Sequence, residues 1–158
     1  MEKIVVGIAE GKTAACGQAL VSYALGSCVG VCLYDAKHKV AAMAHVILPD
    51  KHQSVHQENE YKFAVEGTHR LVQEICRKGA EKKHLTAKIA GGAKMFSTAE
   101  QNWNIGYWNV KNVKQALEEE GIRLVGEDTG GSHGRTITFL SENGTLEVRT
   151  VRQSVIYI

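Results

Sequence analysis

Two residues of this chain have the types and spacing for covalent chemistry. Cys28 stands in Leu25-Gly26-Ser27-Cys28-Val29-Gly30, and His45 follows seventeen residues later in Ala42-Met43-Ala44-His45-Val46. A cysteine needs a nearby base or cation to become a thiolate at neutral pH, and an imidazole is the usual base. The two segments read as adjacent strands of one hairpin, with Asp35-Ala36-Lys37-His38 as the turn. Closing that turn between residues 34 and 39 makes paired residue numbers sum to 73 and sets Cys28 opposite His45. Directly opposed residues of an antiparallel pair share a face, with Cβ atoms about 4.5–5.5 Å apart. A slip of one residue would send His45 to the other face. The arithmetic permits a Cys-His dyad.

The strands that must position the pair show in the pattern. Val29, Val31 and Leu33 alternate with Cys28, Gly30 and Cys32, the period of a strand with one face crowded by small residues. Lys39 to Leu48 form its partner, ended by Pro49, the only proline. Residues 1–10 are expected as a strand, 11–18 as a loop, and 19–25 as a second extended run. Tyr61, Ala64, Val65, Thr68, Leu71, Val72 and Ile75 recur at helical steps, with Arg77 and Lys78 in the last turn and Gly79 as the stop. Residues 87–90 make a short strand running into Gly91-Gly92, and 94–105 read as irregular. Val110 to Glu120 form a second helix closed by Gly121. A strand over 122–127 and a hairpin of 135–140 with 145–151 around Glu142-Asn143-Gly144 complete the chain. The expected fold is a mixed α/β sandwich with more strands than helices.

At 158 residues with 44% hydrophobic and 23% charged residues, the chain is large enough for a substantial core and ordinary for a soluble domain, so residues 1–158 are expected as one domain. A net charge of +2 argues neither for nor against nucleic acid. No run of apolar residues is long enough to span a membrane, and the N-terminus reads as a strand rather than a signal peptide. Cys16, Cys28, Cys32 and Cys76 match no zinc framework and suit a reducing cytoplasm. Cys32 and Cys76 read as core packing. Cys28 and Cys32 would lie about 13 Å apart along a strand, too far for a disulfide, so a redox pair ranks last.

Other groupings have plain readings. His52 and His56 with Glu58 could be drawn as a metal site, but the segment carries no helix signal and a solvated loop is favoured. His69 and His84 read as surface residues. Gly91-Gly92 suits close packing of backbone at a strand end better than an anion cradle. Trp103, Tyr107 and Trp108 form an aromatic patch, core if covered and a partner surface if exposed. The segment from Asp128 to Arg135 reads as a turn or, more sharply, as a loop beside the active site.

With these residues in view the chain resembles the chemoreceptor glutamine deamidases of the CheD family. The resemblance rests on Leu25-Gly26-Ser27-Cys28-Val29, on Met43-Ala44-His45-Val46-Ile47-Leu48-Pro49, and on Lys88-Ile89-Ala90-Gly91-Gly92-Ala93 with Met95-Phe96. It continues in Asn104-Ile105-Gly106 with Asn109 and in Glu127-Asp128-Thr129-Gly130-Gly131. It implies a layered α-β-β sandwich similar to the catalytic core of deamidating bacterial toxins. It implies hydrolysis of selected glutamine side chains on chemoreceptor helices, in the cytoplasm, with no cofactor and no metal. Cys28 falls on the family's nucleophile and His45 on its general base. Ser22 falls on a third position, usually threonine, whose hydroxyl orients the histidine. The resemblance also implies a CheC-type phosphatase as partner, through which dephosphorylation of CheY is stimulated. An adaptor with secondary catalysis is the alternative reading.

Overall fold

The structure, a computed structural model, describes residues 1–53, 59–95, 104–150 and 154–158. Its centre is the expected hairpin. Strand β4 (Val29–Asp35) pairs antiparallel with β5 (Val40–Val46), and every residue of both is buried. Alternation sorts their side chains onto two faces. Val29, Val31, Leu33, Val40, Ala42, Ala44 and Val46 enter one core, while Cys32, Tyr34, Ala41 and Met43 enter another.

Among the described residues, eight further strands and two α-helices build around this pair. One sheet runs β2 (Gly11–Ala14), β5, β4, β6 (Leu85–Gly91), β7 (Arg123–Thr129). The other runs β1 (Lys3–Val5), β3 (Ala19–Leu25), β8 (Arg135–Leu140), β9 (Leu146–Thr150), β10 (Val155–Tyr157). Each sheet has one parallel pair, β6 with β7 and β1 with β3, and is otherwise antiparallel. Helices α1 (Ala64–Arg77) and α2 (Ile105–Glu119) cover the outer face of the β4–β5 sheet, closing the first core with Leu71, Val72, Ile75, Val113 and Leu117. The second core, with Leu20, Leu25, Ile137, Phe139 and Val148, lies between the sheets. The layers are therefore helix, sheet, sheet, as expected. Among the described residues no helix is long and apolar enough to cross a membrane.

The hairpin's register differs from the expected one. Gly30, not Cys28, stands opposite His45, and the turn closes on Asp35 with Val40. The cause is local. The Asp35 carboxylate accepts the Lys37 and His38 N–H groups at 2.9 and 3.1 Å, and Lys39 takes a left-handed conformation, so the four-residue loop is 36–39 rather than the expected 35–38. The shift is by two, which conserves the face of every side chain.

Three other boundaries differ. The expected first strand is split by a turn at Ala9, and β2 forms where a loop was expected, because its backbone adds to the edge of β5. Helix α2 starts at Ile105, five residues early, capped by Asn104, whose side chain accepts the Tyr107 N–H. Strand β10 adds to β9, where no strand was expected.

Candidate active site

Cys28 sits immediately before β4, half-buried, against the edge of the inter-sheet core. His45, 3% exposed, lies on β5 between Ala44 and Val46, which face the helices, so its ring faces the second sheet with Met43. Cys28 and His45 thus share a face as diagonal neighbours, a spacing of about 7–8 Å between backbones. Gly30 fills the position directly across from His45, where any methyl would collide with Ile137 of β8. The missing side chain lets the second sheet close over the site.

The backbone on both sides is pinned. His45 donates its N–H to the Glu10 carbonyl at 3.0 Å and accepts the Ala9 N–H at 2.9 Å. The Cys28 carbonyl accepts the Gly92 N–H at 2.8 Å, and the Gly26 carbonyl accepts the Ala93 N–H at 2.9 Å. Gly91 has φ +117°, and a Cβ there would overlap the Cys28 carbonyl oxygen. Close backbone packing at this strand end is what the glycine pair provides. From α2, the fully buried Asn109 donates to the Ser27 carbonyl at 3.0 Å and the Ile47 carbonyl at 3.1 Å. One amide thereby ties the residue before Cys28 to the segment just after His45. The loop beyond β7 joins the same cluster: Gly130 N–H donates to Gly91, Lys94 N–H to Gly131, and the buried Arg135 guanidinium reaches Asp128 at 3.0 Å and the Gly91 carbonyl at 3.3 Å.

The third expected residue is handled differently. Ser22 on β3 is fully buried, and its hydroxyl donates to the Val6 carbonyl at 2.7 Å, not to His45. Neither ring nitrogen of His45 has a hydrogen-bond partner, Cys28 included. Burial disfavours the protonated ring, opposed in lesser part by the Val6 carbonyl, to which the ring makes no hydrogen bond.

Burial governs the electrostatics. It pushes the Cys28 thiol above its ordinary range, opposed by the residue's own N–H, and it lowers His45. At neutral pH both are uncharged, a thiol beside a free base rather than a preformed ion pair. A groove of about 340 Å³ adjoins the Gly92 side of the cluster, lined by Lys94, Asn104, Tyr107, Lys114, Thr129 and Gly131 among others. A larger cavity of about 500 Å³ near Lys12, Tyr61 and Arg70 holds neither Cys28 nor His45, so the chemistry rather than the volume marks the site.

Of the other groupings, Tyr107 is exposed and packs edge-on to half-buried Trp108, while Trp103 lies outside the described residues. His52 is exposed, and His56 and Glu58 are likewise outside. His69 and His84 are half-buried rather than surface residues, each beside carboxylates. All four cysteines are free, and Cys32 is core as expected.

Residues 47–150 match the family model described as CheD chemotactic sensory transduction. The chain belongs to the CheD family. A protein of Clostridium novyi is 42% identical over 98% of this chain and 96% of its own length. One of Caldanaerobacter subterraneus is 44% identical over 97% and 96%. One of Haloarcula marismortui is 38% identical over 94% and 86%. Each of these CheD relatives is named a probable chemoreceptor glutamine deamidase. The family-model match begins two residues after His45, so the Cys28–His45 segment is spanned by the near-full-length relatives alone. Residue chemistry had singled out neither Val6 nor Asn109. Val6 meets Ser22 through its backbone carbonyl, which leaves no side-chain signal, and Asn109 entered only among the residues of the family resemblance, with no role attached.

Proposed function

We propose that this CheD-family chain is a cytoplasmic chemoreceptor glutamine deamidase, with residues 1–158 as one catalytic domain and Cys28 as nucleophile. The observation that carries the reading is the placement of Cys28 and His45 on one face, with the backbone of each fixed by hydrogen bonds from other elements. His45, neutral at the working pH, takes the thiol proton after a side-chain rotation closes the gap; contacts of this kind commonly tighten only when substrate binds. Sγ attacks the carboxamide carbon of a glutamine side chain. The Cys28 N–H, which already favours negative charge on the sulfur, is positioned to donate to the oxyanion. His45 returns the proton to nitrogen, ammonia leaves, and a thioester remains. Water, deprotonated by His45, attacks the thioester; glutamate and the free thiol result. Ser22 positions His45 through the Val6 carbonyl. The same reading makes the catalytic core akin to that of deamidating toxins, and leaves the CheC-type phosphatase as a partner for a separate surface.

The test is mass spectrometry of a receptor cytoplasmic fragment, following the roughly one-dalton gain of each Gln→Glu conversion. Wild type converts the fragment and Cys28→Ala, folded, does not. Conversion by Cys28→Ala at the wild-type rate overturns the mechanism. Phosphatase stimulation retained by Cys28→Ala would assign the adaptor role to other residues.

A further inference from the structure

Away from the active site, at the opposite end of β4, Asp35 and His38 of the hairpin converge with His84 of a second segment. Asp35 ends the strand and is fully buried; His38 lies in the hairpin turn; His84 lies in a 3₁₀ turn (Lys82–His84) leading into β6. Pairing of Asp35 with Leu85 across β4 and β6 places His84 beside the carboxylate. One potential ligand atom from each residue lies within 4.8 Å of the other two. His38 Nδ1 is 2.8 Å from Asp35 Oδ2. His84 Nδ1 is 3.8 Å from that same oxygen and 4.0 Å from Glu81 Oε2.

The spacing around His84 is informative. Its Nδ1 is buried and has no hydrogen-bond partner, although it faces two carboxylates. Separations of 3.8 and 4.0 Å are too long for hydrogen bonds. They are near the spacing of two ligands on a common cation, since atoms each about 2.0–2.2 Å from a metal stand about 3–4 Å apart. The His38–Asp35 distance of 2.8 Å is shorter than a tetrahedral edge of about 3.3 Å, so His38 withdraws by about half an ångström as a cation replaces the shared proton. His38 and His84 side chains are about one-third and one-quarter exposed, which leaves a path for the ion and a place for water.

We propose that Asp35, His38 and His84, with Glu81 or water as fourth ligand, form a zinc site that clips the β4–β5 turn to the segment entering β6. Two imidazoles with one or two carboxylates suit zinc and disfavour magnesium or calcium, which take oxygen ligands. Asp35 and Glu81 together balance the charge of the ion. The site is structural: seven residue steps along the strand, about 23 Å, separate Asp35 from Cys28. It stands whether or not the deamidase reading holds.

The experiment is calorimetric titration of the reduced, chelator-treated full chain with zinc chloride, alongside thermal unfolding. One zinc binds per chain, and at a hundredfold excess over Kd the unfolding midpoint rises by about 5–10 °C. His38→Gln and His84→Gln each weaken binding by more than the about 10–100-fold typical of losing an outer-shell partner, and abolish the shift. Both variants fold, since each alters a partly exposed side chain; Asp35→Asn is avoided because Asp35 also holds the turn. Cobalt in place of zinc gives visible absorption without a thiolate charge-transfer band. The proposal is overturned by a stoichiometry below one half, by a double His38→Gln/His84→Gln variant that binds as tightly as the parent, or by a thiolate band.

Discussion

Replacing Gly91 with alanine separates two consequences of one methyl group. Gly91 has φ +117°, a conformation that alanine adopts only with strain of about 1–3 kcal/mol. The new Cβ would also overlap the Cys28 carbonyl oxygen and stand 3.2 Å from Cys28 C and Val29 Cα. Relief requires the Cys28 peptide to retreat by about 1 Å. The residue that moves carries the nucleophile and, on its preceding peptide, the N–H assigned to the oxyanion, and a displacement of 1 Å is enough to cost about 100-fold in rate. Gly79, past the end of α1, is the control: its φ is +108°, but a Cβ there meets nothing within 4 Å. Gly79→Ala should therefore lose about 1–3 kcal/mol of stability and keep its activity. Gly91→Ala should lose at least as much stability and about 100-fold in kcat. The assays are thermal unfolding, where 1 kcal/mol corresponds to about 2–4 °C for a chain of this size, and ammonia release from receptor fragment. A folded Gly91→Ala with wild-type kcat would refute the claim that this strand end positions Cys28.

The remaining predictions concern titration and support of the site. With His45 below its ordinary 6.5 and Cys28 above its ordinary 9.0, kcat/KM should stay flat from below pH 6.5 to above pH 9, and thiolate absorbance from Cys28 should be absent at pH 7; a limb near neutrality would indicate an ion pair instead. The depressed His45 also makes the unfolded chain bind the extra proton first, so stability attributable to it is lost as pH falls below 6.5, and His45→Gln should flatten that slope in denaturant titrations. Asn109→Ala leaves the Ser27 and Ile47 carbonyls without their donor, costing about 1–3 kcal/mol for each that water does not reach, with a fall in kcat that Asn109→Gln does not restore. Lys88 donates to the Gly144 and Ile158 carbonyls at 2.7 and 2.8 Å, so Lys88→Met should lose about 2–4 kcal/mol in urea unfolding while kcat holds, the bonds being far from Cys28.

The hairpin carrying Cys28 and His45 was legible because its alternation of small and branched residues is strict. Parity alone decides which side chains share a face, so the shared face survived a register error of two. The register itself depended on how Asp35 bonds the turn, and a four-residue loop can close on either of two neighbouring pairs. Strand β2 left little signal: Gly-Lys-Thr-Ala has no apolar period, and its pairing comes from the exposed edge of β5. The start of α2 was obscured by Gly106, which weakens a helix but is required where the first turn abuts the Gly92 and Ala93 carbonyls.

The sequence by itself determined the family and the layered strand-rich fold, and put forward Cys28 and His45 as the proposed nucleophile and base, because each reading rests on residue type and short-range period. Tertiary structure alone decided what surrounds them. The Ser22 hydroxyl binds the Val6 carbonyl rather than His45, and a backbone oxygen has no letter in the sequence. His84 meets Asp35 across forty-nine residues because β6 pairs with β4 in one register. Asn109 joins the two sides of the site because α2 packs across the hairpin's end. Such contacts depend on which distant elements become neighbours, and burial of the two cores, not any local pattern, makes that choice.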